Sequence, residues 1–89
     1  MARMEATILE TSNMTGAGGT PDALFELGLM HCAGRDGALD LVNAHKWFNL
    51  AAMRGNEAAK SYRMEISSEM SRAEIAEAQR LAREWLARH

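Results

Sequence analysis

The side chains with the most chemistry to offer are His31, Cys32, His45 and His89. Imidazole and thiolate are soft metal ligands, and a structural zinc site takes four of them at recognisable spacing. His31 and Cys32 are sequence neighbours, so a helix aims them at different parts of its surface, and His89 stands far away. The expectation is no metal, with Cys32 a small buried thiol and the histidines at a helix boundary or on the surface. Cys32 and His45 can be drawn as nucleophile and base, but no third group and no oxyanion-binding turn accompany them. Gly16, Gly18 and Gly19 resemble a phosphate loop in their spacing alone, since no strand precedes them and no Lys-Ser/Thr pair follows. The residues therefore predict neither an enzyme nor a cofactor.

Nucleic-acid binding is the next chemistry to weigh. Arg72, Arg80, Arg83 and Arg88 lie within one segment, but Glu69, Glu74, Glu77 and Glu84 are interleaved with them. A helix that tracks phosphates needs a net positive face, so this one reads as a solvated surface. The net charge of −2 gives no general attraction to nucleic acid or anionic membrane. One cysteine among 89 residues cannot close an internal disulfide, and a chain of this length at 47% hydrophobic supports one small core.

The elements that position these groups are helices. Thr20 suits an N-cap, Pro21 the first helical position and Asp22 the positive end of the helix dipole. Ala23, Leu27 and Met30 give this first helix a buried stripe, and Gly28 leaves room for a neighbouring helix to approach. After the short link at residues 34–39, Asp40 caps a second helix in which Ala44, Trp47, Phe48, Ala51 and Ala52 share one face, and Gly55 closes it. A link this short turns the second helix back on the first. Asn56 caps a third helix with Ala58, Ala59, Tyr62 and Ile66 as its contacts. Ser71 to Glu74 forms a capping box for a fourth, which starts at Arg72 and carries Ile75, Ala78, Leu81, Ala82, Trp85 and Leu86. Opposite charges four apart, Arg80 with Glu84 and Glu84 with Arg88, mark its outer face. The methionines Met30, Met53, Met64 and Met70 read as core filler, and both tryptophans as core anchors.

The run of Ala23, Leu27-Gly28, Gly34, Asp40, Ala44, Trp47, Ala51-Ala52 and Gly55 resembles the Sel-one-like repeat, a relative of the tetratricopeptide repeat. Asp36 and Gly37 stand where that family usually has a second Gly and a Val, and Met30 where it usually has an aromatic residue. The resemblance implies an all-α fold: a short right-handed solenoid of two antiparallel helical hairpins, the first over about residues 21–55 and a degenerate, capping one over about 56–88. In the second unit Tyr62-Arg63 replaces the expected Leu-Gly, and Trp85 takes the place that Trp47 holds in the first. Residues 1–20, small, polar and glycine-rich, form a flexible arm ahead of the 21–89 repeat domain.

No export signal and no apolar stretch of about 20 residues is visible, so a soluble cytoplasmic protein is expected. What the resemblance implies for function is a protein–protein interaction module, an adaptor or scaffold whose first helices line the binding face. By helical phase Phe25, Glu26 and Leu29 of the first helix point away from its partner helix and are the candidate partner-binding residues. The partner is another protein or a peptide; the alternative is a self-associating structural homodimer, since arrays of this kind usually want about three repeats to cover their apolar faces.

Overall fold

The computed structural model describes residues 19–34 and 40–89. The proposed arm, apart from Gly19 and Thr20, and the altered loop positions Asp36 and Gly37 lie outside the described residues. Four helices follow in order: α1 (Pro21–Ala33), α2 (Leu41–Met53), α3 (Glu57–Ser67) and α4 (Arg72–Arg88). The described residues hold no strand. No described helix is long and apolar enough to cross a membrane.

Each helix begins where its sequence says it should. The side chains of Thr20, Asp40, Asn56 and Ser71 accept from the backbone N–H three residues on, at Ala23, Asn43, Ala59 and Glu74. Each satisfies a donor that the first helical turn cannot pair internally. Asp40 goes further, with its second oxygen accepting from Asn43 Nδ2 at 2.7 Å. These bonds, the side-chain one first, hold the Asp40 carboxyl below its ordinary range. Ser71 and Glu74 cap each other: the Ser71 N–H donates to Glu74 Oε1 at 2.8 Å and the Glu74 N–H to Ser71 Oγ at 3.1 Å. Helix α2 ends in a Schellman motif, with the Asn56 N–H reaching the Ala51 carbonyl and the Gly55 N–H the Ala52 carbonyl. Gly55 sits at a φ of 109°, a backbone that side chains resist.

The core is organised around α2. This helix packs closely against α1, α3 and α4, and no other pair of described helices is packed as closely. Ala44, Phe48, Leu50 and Ala51 of α2 are fully buried, and Leu24, Ala59, Ile66 and Ala82 meet them from the other three helices. A helix covered on several sides needs apolar residues all round, and LVNAHKWFNLAAM supplies them. Trp47 and Trp85 meet edge to face at 6.0 Å between ring centroids and hold α4 to α2. Ala78 and Ala82 are buried beside them, with Ile75, Leu81 and Leu86 half-buried, which is the face expected for α4. Outside, Arg80 bonds Glu77 at 2.6 Å and Glu84 at 2.8 Å. Exposed pairs of this kind contribute little to stability.

Three expectations about burial change. Met30, Met53 and Met64 are 43%, 61% and 70% exposed, so three of the four methionines read as core filler lie outward, and only Met70 packs on the core. In α1 the fully covered residues are Ala23, Leu24 and Gly28, which turns the buried stripe away from Met30. Ala58 is likewise exposed, while its neighbour Ala59 is buried.

Candidate partner-binding face

The candidate residues of α1 divide into two kinds. Glu26 is exposed, as expected. Phe25 and Leu29 are half-buried and pack against the core, so they do not simply point away from it. The cause is Gly28. A Cβ there would come within 2.5 Å of the Phe48 ring, so its absence lets that ring slide under α1. Phe48 then reaches Phe25 from below, their centroids 5.7 Å apart.

Helix α3 completes this arrangement with Tyr62. Its ring lies 5.4 Å from Phe25 in an edge-on contact and 5.4 Å from Phe48 in a tilted one. Three aromatic side chains from three helices thus form one cluster, with Phe48 at its floor and Tyr62 on its rim, 39% exposed. Sequence reasoning took Tyr62 for an inward contact. The residue type was the available signal, because a phenol keeps its oxygen in water while its ring packs. The guanidinium of the following residue, Arg63, donates to Asn49 Oδ1 at 2.7 Å. This bond is a polar tie from α3 to α2.

Two carboxylates lie on the α1 side of this face. Asp22 and Glu26 are one helical turn apart on α1 and both are exposed. Asp22 accepts a 3.2 Å bond from Asn56 Nδ2, which links the start of α1 to the start of α3. Arg54 adds a second link, donating to the Gly19 carbonyl at 2.8 Å while lying 5.1 Å from the centre of the Trp85 ring.

The residues first weighed for chemistry do not gather. Cys32 is half-buried against the core. His89 stacks on Trp85 with centroids 4.2 Å apart. Among the described residues no group of three or more His, Cys, Asp or Glu is placed to hold a metal. His45 departs from expectation: it is buried, only 3% exposed, and sits inside the fold where a boundary or surface position was expected. Its Nε2 lies 3.1 Å from Ser67 Oγ. That hydroxyl donates its own hydrogen to the Arg63 carbonyl at 2.7 Å. The imidazole is therefore the donor to Ser67, the reverse of what a general base activating a serine requires.

The chain matches no family model, no curated protein and no solved structure. The likeness to Sel-one-like repeats consequently rests on the residues named above, and the aromatic rim with its acidic neighbours stands on geometry alone.

Proposed function

We propose that the chain is a small, non-catalytic protein–protein interaction module of the Sel-one-like, tetratricopeptide-like kind, recognising its partner on the α1–α3 face. The observation that carries this is the contact of Phe25 with Tyr62, which joins the first helices of the two units in one half-covered aromatic rim beside Glu26. Aromatic rings at a partly exposed rim bury large area at little entropic cost and are favoured anchors at interfaces. The adjoining Asp22 and Glu26 carboxylates would choose a segment that sets a basic side chain next to an apolar one. Tyr62, Glu26 and Asp22 are exposed on this face, and Phe25 and Leu29 are half-buried beside them.

The test places a photo-crosslinking residue at position 26 in the full chain and, as a comparison, at position 83 on the outer face of α4. Crosslinks to a second protein from position 26, abolished by Tyr62→Ala in a chain that keeps its helical circular dichroism, are the expected result. Equal yields from both positions would sink the proposed face. Light scattering addresses the self-associating alternative: a dimer lost on Glu26→Lys with Tyr62→Ala would make a second copy the occupant.

A further inference from the structure

His45 is buried between helices, and its hydrogen bonding is complete on one side only. Nε2–H serves Ser67, whose hydroxyl is already committed to the Arg63 carbonyl, while Nδ1 is buried with no partner. A neutral ring tolerates a bare acceptor at moderate cost. A second proton would place a full charge in the interior, where a hydrogen bond to the backbone of His45 itself offsets only part of the cost of burial.

We propose that His45 is an acid-sensitive latch, whose protonation releases α3 from α2 and uncovers the Phe25–Phe48 floor that Tyr62 covers. The surroundings of the ring make the added charge unwelcome from the α3 side. Arg63 is the charged group that acts on the ring, and its guanidinium is fixed by the 2.7 Å bond to Asn49. Among the described residues Arg63 is the charged group that acts on His45, and what opposes it is a hydrogen bond to the backbone of His45 itself, weaker than burial and Arg63 together. On its own helix the nearest part of the network is Asn49, which is neutral. Burial, followed by Arg63, accordingly holds the imidazole below its ordinary value of 6.5.

The strain falls on α3 in particular. Among the described residues the side-chain ties of α3 to α2, His45 to Ser67 and Arg63 to Asn49, belong to this network. Helix α4 is held on α2 by the Trp47–Trp85 contact and has no part in it. Because the folded value is depressed, the contribution to stability is complete above pH 6.5 and is lost as the pH falls below it toward the folded value. Over that window the ratio of open to closed α3 rises by up to about tenfold per pH unit, the limit for one proton.

The experiment is an NMR titration of the full chain with labelled histidine, combined with amide exchange corrected for its intrinsic pH dependence, from about pH 8 to about pH 5. His45 is expected to titrate below the ordinary histidine range, with the opening of α3 amides rising up to about tenfold per unit while α4 lags. His45→Gln, which keeps a donor for Ser67 without the titration, should flatten the α3 response, and His31→Gln should leave it intact. A His45 that titrates at or above the ordinary value, α3 and α4 opening together, or an α3 response retained in His45→Gln would each overturn the latch. Should His45→Gln fail to fold, the wild-type titration and the contrast between α3 and α4 decide alone.

Discussion

At Gly28 a single missing methyl group sets the geometry of the aromatic cluster. Replacing it with Ala favours the isolated helix by about 1 kcal/mol, but the new Cβ would lie 2.5 Å from two carbons of the Phe48 ring. That ring is fully buried and bounded by Phe25 and Tyr62, so it cannot retreat without moving them. Overpacking of this kind typically costs about 1–3 kcal/mol, and Gly28→Ala is expected to lower the urea midpoint with the transition slope unchanged. A midpoint equal to or above that of the wild type would mean that the ring has room to move. The packing reason for this glycine was legible in the sequence. Its consequence for Phe25 and Leu29 was not, because reading which ring enters the gap requires knowing that Phe48 lies across from it.

Single helices show how far local chemistry reaches. All four N-caps, the Gly55 terminus and the start of α4 at Arg72 follow from residue type at fixed spacing, since capping involves only neighbours three or four positions away. Removing one cap should therefore act locally: Ser71→Ala is expected to cost about 1 kcal/mol, raising amide exchange in the first turn of α4 and leaving α1 unaffected. Equal loss of protection in both helices would show that the box supports the whole fold. The phase of α1 was harder to read. Apolar residues occupy most of its circumference, at Ala23, Leu24, Phe25, Leu27, Leu29 and Met30, so periodicity alone admits several stripes. The stripe with Gly28 at its centre is the one buried, along with Leu24 four residues before it. His45 was missed for a related reason. A polar residue one step from Ala44 looks like a boundary until a helix is covered on more than one side.

For the molecule as a whole, the arrangement around α2 predicts cooperative loss of structure. Leu24, Ile66 and Ala82 reach α2 from three helices, so unfolding of α2 removes the burial of all three. At about pH 8, with His45 neutral, denaturation followed by tryptophan fluorescence and by far-UV circular dichroism should give coincident transitions. The tryptophans report the α2–α4 contact alone, whereas dichroism sums every helix. A fluorescence midpoint well separated from the dichroism midpoint would refute a shared core. The all-α character was legible in the sequence from its periodicity and caps. That α3 and α4 would each lean more on α2 than on one another was not, because local spacing identifies a helix without saying which neighbour it will choose. The covering of α2 also divides the sequence by the kind of change it can absorb. Substitutions at Phe48, Leu50 or Ala51 alter the interior, whereas those at Glu26, Lys60 or Arg83 meet water. Variation among descendants of this chain would thus accumulate on the outer surfaces of α1, α3 and α4, while the framework around α2 is inherited unchanged.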